Sequence, residues 1–164
     1  MRPIIMKLAT KISLECGTYT GITENDPEYK ILDPVLTDEM AEVAMGLKVR
    51  HFVSPEEVAK KVHKPLDRVT EILYQLADLG VCRYAKKGGI DMFNMPIWVP
   101  GIMEMMVGNK EMCEKYPVIA ECFEAYTRIR TSALAPNIPI GRGLMRVVPI
   151  GSAKAEKSTL LSDK

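Results

Sequence analysis

The sequence has no apolar run approaching the roughly 20 residues needed to cross a bilayer. Its start also lacks the unbroken apolar stretch and small-residue cleavage site of a secretory signal. Ile4, Ile5, Leu8 and Ile12 are apolar, but Lys7 and Lys11 interrupt them. A short amphipathic helix or a frayed extension is expected there, in a cytoplasmic protein with no membrane partner. Cysteine pairs are missing too: Cys16, Cys82, Cys113 and Cys122 are far apart, with no C-x-x-C. That spacing argues against a zinc knuckle or an iron–sulfur loop and for buried thiols in a reducing cell. Charge of one sign is lacking, because the formal net charge is +1. The chain as a whole is therefore not an electrostatic nucleic-acid binder. Its two histidines, His51 and His63, have no cysteine or carboxylate at metal-ligand spacing. Gly141-Arg142-Gly143 lacks the rest of a dinucleotide fingerprint and reads as a turn. No catalytic, metal or cofactor-binding residue is assigned.

What is present suits a folded chain with a core: 164 residues, 47% hydrophobic and 26% charged. Four stretches are expected: an N-terminal arm (1–34), a compact domain (35–97), a helical extension with a short strand (98–150) and a polar tail or linker (151–164).

The compact domain carries the sharpest signals. Thr37 caps a first helix, with Asp38 and Glu39 at the positive end of its dipole and Met40, Val43, Ala44 and Leu47 on one face. Ser54, Pro55 and Glu57 form a capping-box start, flanked by Val53 and Val58 as a hydrophobic staple. That second helix ends near His63. Pro65 opens a third, whose buried stripe is read as Leu66, Val69, Ile72, Leu73, Leu76 and Leu79, stopped by Gly80. Val81 to Ala85 and Ile90 to Asn94 then flank Lys86-Lys87-Gly88-Gly89 as a hairpin. The order predicts a mainly α protein with a small β-hairpin: a winged helix-turn-helix with a C-terminal helical extension. Its core set is Val43, Leu47, Val58, Val62, Val69, Ile72, Leu73, Leu76 and Val81.

Such a fold invites a DNA-binding reading, with Lys64 and Arg68 at the groove-reading helix and Lys86 and Lys87 at the wing. Against it, residues 35–97 carry nine Lys or Arg and nine Asp or Glu. Asp67 and Glu71 also sit on the presumed reading helix, where phosphates repel them. Beyond the hairpin, Pro96-Ile97-Trp98-Val99-Pro100-Gly101 is an apolar connector, followed by a helix with Met103, Met105 and Met106. Trp98 and these methionines are candidates for a partner interface, as an anchor in an adaptable surface. Asn109 is read as the cap of a turn, and Pro117 as the start of a helix whose Ile119, Cys122, Phe123 and Tyr126 face inward. Leu134 to Ile140, including Ile138, is a second candidate strip, and Leu144 to Val148 reads as a strand.

Three runs resemble a known group. Tyr29 to Met40 (YKILDPVLTDEM), Pro96 to Glu104 (PIWVPGIME) and Leu144 to Pro149 (LMRVVP) are similar to the leading segment of large iron–sulfur and flavin oxidoreductases of anaerobic bacteria. The resemblance spans roughly Tyr29 to Ile150. It implies a winged-helix module ahead of 4Fe-4S clusters and a flavin/NAD(P)H-binding part. The cofactors would belong to a longer parent protein, since the required cysteine clusters and glycines are not in this sequence. It also implies that the module's partners are the redox domains of the same polypeptide or complex, with self-association as another use of the same surfaces. The polar ending from Ser158 to Lys164 reads as a linker in that setting. A winged-helix transcription regulator, with DNA as partner, is the alternative.

Overall fold

The computed structural model describes residues 1–16 and 21–137, and everything below concerns these. The chain divides after Thr131. Of the second unit, residues 132–137 are described and form short helical turns, within which the Asn137 side-chain amide donates to the Ala133 carbonyl (3.3 Å). The first unit, Met1–Thr131, is mainly helical with one small antiparallel hairpin. The stretch expected as an arm, and the expected extension as far as Thr131, belong to this same unit, packed with residues 35–97 around one core.

Helix α1 (Pro3–Cys16) buries Ile5, Leu8, Ala9 and Ile12 completely, so its apolar spacing is a core face and not a frayed end. Arg2 fastens its start. The guanidinium donates to the Asp33 and Leu36 carbonyls (2.7 and 2.8 Å) and pairs with Asp38 (2.6 Å). A short helix α2 (Pro27–Lys30) follows, then α3 (Asp38–Gly46), whose Thr37 hydroxyl accepts from the Met40 amide as the cap signal predicts. At the other end of α3, Lys11 donates its ammonium to the Met45 and Leu47 carbonyls, a cation where the helix dipole favours one.

Helix α4 (Pro55–Val62) starts at Ser54, whose hydroxyl accepts from the Glu57 amide (3.4 Å). The box is only half made, because the Glu57 carboxylate lies 4.0 Å from the Lys48 ammonium instead. Gly46 sits so close to α4 that an added Cβ would stand 2.7 Å from Val58 and 2.9 Å from Val62. His63 ends α4 in the left-handed region (φ 55°), a conformation to which His is among the more tolerant non-glycine residues. Helix α5 (Leu66–Asp78) buries Val69, Ile72, Leu73 and Leu76. The stripe is narrower than expected: Leu66 is 40% exposed and Leu79 half-buried. Of the predicted core set, Val62 alone is half-buried rather than buried.

Gly80 (φ +77°) turns the chain away from α5, and an added Cβ would meet the Met105 backbone at 3.1 Å. Val81 and Cys82 both give their amides to the Leu76 carbonyl (2.9 and 3.2 Å). This delays the first strand, so β1 is Arg83–Lys87, paired with β2 (Ile90–Asn94) in the register Tyr84–Phe93 and Lys87–Ile90. Gly88 and Gly89 form a two-residue turn with φ 57° and 83°, angles that favour glycine at both places. Lys86 and Lys87 therefore lie in the strand and not at its tip. Val53 bridges to Phe93 on the other edge of β2, so the α3–α4 loop contributes a third short rung.

After β2 the chain passes through an irregular segment, 98–102, into α6 (Met103–Val107), α7 (Lys110–Lys115) and α8 (Val118–Tyr126). Asn109 caps α7 through the Met112 amide (3.1 Å). Trp98 is fully buried, and its indole N–H donates to the Ser13 hydroxyl on α1 (2.8 Å). The Arg130 guanidinium donates to buried Glu28 of α2 (2.7 Å) and to Asp26 (3.1 Å), tying the far end of the unit to its beginning. No helix among the described residues is long and apolar enough to cross a membrane.

Two substitutions test this packing by urea denaturation. Leu73→Ala should cost about 2–5 kcal/mol, the range for a buried leucine truncated to alanine. Ser13→Ala should cost about 1–3 kcal/mol by leaving the buried indole N–H without its acceptor. A Ser13→Ala variant as stable as wild type would show that the hydrogen bond carries no net stability.

Candidate docking face

The surface candidates named from sequence do not hold together as a surface. Trp98, Met103 and Met106 are fully buried and Met105 is half-buried. Trp98 is interior because α1 lies against the connector, while Ile97 and Val99 are half-buried and Pro100 is exposed. Ile138 lies outside the described residues, as do Gly141-Arg142-Gly143 and the strand expected over Leu144 to Val148.

The nucleic-acid candidates are exposed or half-buried, and three of the four have partners in the chain. Arg68 on α5 is clamped between Glu39 of α3 (2.6 Å) and Glu71 one turn along (2.7 Å). Those hydrogen bonds, Glu39 first, raise the guanidinium further above its ordinary value, and Arg68 lowers the Glu39 carboxyl in return. Lys64 pairs with Glu42 of α3 (2.9 Å), which raises its ammonium. Lys87 sits over the Phe52 ring, 4.3 Å from its centroid. Lys86 is exposed, opposite Asp91 in the hairpin register. The other charged residues exposed on α5 are Asp67, Glu71 and Asp78, beside exposed Leu66, Tyr74 and Gln75.

Between α5 and the hairpin lies an aromatic cluster that sequence reasoning missed. Tyr74, Tyr84 and Phe93 have ring centroids 5.3–5.4 Å apart. Both tyrosine hydroxyls donate to one carboxylate, Asp91, Tyr74 at 2.6 Å and Tyr84 at 2.9 Å. Their donation holds the Asp91 carboxyl below its usual range, Tyr74 contributing most, and the same bond raises the Tyr74 phenol. The period-2 pattern of the strands placed Tyr84 and Phe93 on one face, but nothing local in sequence joined Tyr74 to them.

Beside this cluster is a groove of about 460 Å³ between the start of α4, the start of α5 and the tip of β2. Pro55, Leu66 and Ile90 supply its apolar surface, with Leu66 40% and Ile90 57% exposed. Glu56, Asp67 and Asp91 supply three carboxylates, and no lysine or arginine lines it. The Ser54 hydroxyl lowers the Glu56 carboxyl, keeping it charged at neutral pH. The Thr70 hydroxyl is committed to the Leu66 carbonyl (2.9 Å).

Two of the described cysteines, Cys82 and Cys122, are buried, and Cys113 is half-buried. The Cys82 thiol donates to the Leu73 carbonyl (3.4 Å), and burial pushes it up to about 12. Burial likewise pushes Cys122 up to about 11. Protonated thiols of this kind are poor metal ligands and nucleophiles. No three His, Cys, Asp or Glu side chains come together at ligand spacing among the described residues. Cys82 and Cys122, buried and protonated, therefore do not fit the ligation of an iron–sulfur cluster.

Two measurements follow. Tyr74→Phe should move the Asp91 titration, followed by carboxyl NMR, up toward the ordinary value of about 3.9. Because the folded-state value is depressed, the stability Asp91 contributes is present above its unfolded value and is lost as pH falls through the folded one. An unmoved Asp91 titration in Tyr74→Phe would show that the phenol does not control it. In native protein at pH 8, iodoacetamide should leave Cys82 unmodified, with labelling complete only in denaturant; rapid native labelling at Cys82 would contradict its burial.

Neither the protein-family models nor the curated proteins include a match to this chain.

Proposed function

We propose that residues 35–97 form a winged helix-turn-helix used to dock protein and not to read DNA, and that the chain is a non-catalytic scaffold module of an iron–sulfur, flavin-dependent electron-transfer enzyme. The helix order α3, α4, α5, the left-handed turn at His63, the Gly88-Gly89 hairpin and the Val53–Phe93 rung all support the winged-helix part. The enzyme context rests on the resemblance of the Tyr29–Met40 and Pro96–Glu104 runs.

The observation that carries the docking reading is the state of the cations. Non-specific affinity for DNA comes from neutralising phosphates with Lys and Arg. Here Arg68 and Lys64, the two bases best placed on the helix-turn-helix, already have Glu39, Glu71 and Glu42 as counter-charges. Binding a phosphate would break those pairs and bring Asp67 and Glu71 against the backbone. The same face offers exposed Leu66, Tyr74, Tyr84 and Ile90, side chains suited to a protein contact.

Two experiments test this. Fluorescence anisotropy with a labelled duplex at 150 mM salt should give affinity no tighter than about 1 μM, the non-specific range. Nanomolar binding to a specific site, lost in Arg68→Ala, would establish the regulator reading instead. Affinity purification of the tagged native gene product under anaerobic conditions should recover iron, acid-labile sulfide and flavin with the chain. Recovery of the chain at full yield without them would rule out the electron-transfer context.

A further inference from the structure

The groove beside α5 has a composition that narrows its occupant. Its apolar part comes from three separate elements: Pro55 is buried, but Leu66 and Ile90 stay open to water, although the following stretches of α5 and β2 are packed. Around that part stand Glu56, Asp67 and Asp91 with no basic side chain among the lining residues. Asp91 is held in place by two tyrosine hydroxyls, so its orientation is set before anything binds. A carboxylate oxygen that accepts one hydrogen bond still has capacity for another. Arg68, the cation of α5, points into its own pairs with Glu39 and Glu71, and the nearest other cations, Lys60 on α4 and Lys86 across the hairpin from Asp91, act on Glu56 and Asp91 from outside the lining.

We propose that this groove receives a segment of a partner protein that carries a bulky aliphatic side chain flanked by lysine or arginine. The proposal rests on the docking reading above and specifies its partner. The aliphatic group removes Leu66 and Ile90 from water, and the flanking cations meet Asp67 and Glu56 on one side and Asp91 on the other. Nucleic acid and anionic lipid are disfavoured by the same carboxylates. Arginine suits the site best, because its planar fork meets a carboxylate with two hydrogen bonds and stacks on aromatic faces such as Tyr84.

The test uses the full chain, labelled with nitrogen-15, and three capped peptides: Gly-Arg-Leu-Arg-Leu-Arg-Gly, the same peptide with Glu for each Arg, and the same peptide with Ala for each Leu. The Arg/Leu peptide should produce saturable amide shifts centred on Leu66, Thr70, Ile90 and Asp91. The other two should bind at least about tenfold more weakly, as expected when either the charge pairing or the apolar anchor is lost. Ile90→Ser and Asp67→Lys should each weaken the Arg/Leu peptide by a similar factor. Neither residue is in the core, and an unchanged spectrum away from the groove confirms that each variant is folded. Affinity should fall as salt rises. Shifts centred elsewhere, equal binding of the Glu peptide, or no shift at several millimolar peptide overturns the proposal. So does a concentration-dependent dimer that Ile90→Ser abolishes, since a second copy would then be the occupant. If the peptides fail while iron, sulfide and flavin still co-purify with both the wild-type and the Ile90→Ser chain, the docking reading stands and this groove is not its surface. If the Arg/Leu peptide binds and co-purification is lost in Ile90→Ser, the groove is the docking site.

Discussion

A buried indole N–H needs an acceptor, and the one Trp98 has is a hydroxyl 85 residues earlier in the chain. Much of the arrangement depends on that bond. It requires α1 to lie across the segment that leaves the hairpin, so the first helix cannot be an appendage. With α1 in place, Ile5, Leu8 and Ile12 join the same buried cluster as Met103 and Met106. The connector's tryptophan and methionines thereby become interior, and the exposed apolar side chains that matter for contact are those of α5 and the hairpin.

The parts of the fold set by neighbours in sequence were legible, and the parts set by distant partners were not. Thr37 and Ser54 cap because their hydroxyls meet amides three residues on, and Gly88-Gly89 turns because both positions need positive φ. Val69, Ile72, Leu73 and Leu76 follow from helical spacing alone. Leu66 shows where spacing fails. It falls on the same periodic stripe, but α5 begins there, beyond the reach of the elements that cover the rest of its face. Glu57 shows a related failure: the spacing suits a capping box, yet Lys48 from the preceding loop attracts its carboxylate. The candidate site was hidden for the same reason. Pro55, Leu66 and Ile90 each read as ordinary members of their own elements, and only the fold brings them to one groove.

Charge illustrates the difference between a count and an arrangement. Residues 35–97 are neutral in sum, which left open whether the charges segregate. They do so by pairing: Glu39 and Glu42 of α3 reach over to Arg68 and Lys64, consuming the cations nearest the open side of α5. The groove lining itself carries carboxylates and no lysine or arginine, with Lys60 and Lys86 just outside it. A neutral stretch thus lines one groove with acid, its α3 carboxylates drawing off one cation of α5 and one of the turn before it, without any excess of acidic residues in the sequence.

The pair between Arg130 and Glu28 joins positions 102 residues apart. During synthesis at about 5–20 residues per second, on the order of 5–20 s separates the emergence of the two. Through that interval the carboxylate of Glu28 has not met this guanidinium and keeps its hydration shell. Helix α2 therefore has reason to remain undocked while α3, α4, α5 and the hairpin, whose contacts are mostly local, are already able to assemble. The ribosome delivers the last fastening of the unit near its final turn, so completion of the fold is tied to how far translation has proceeded.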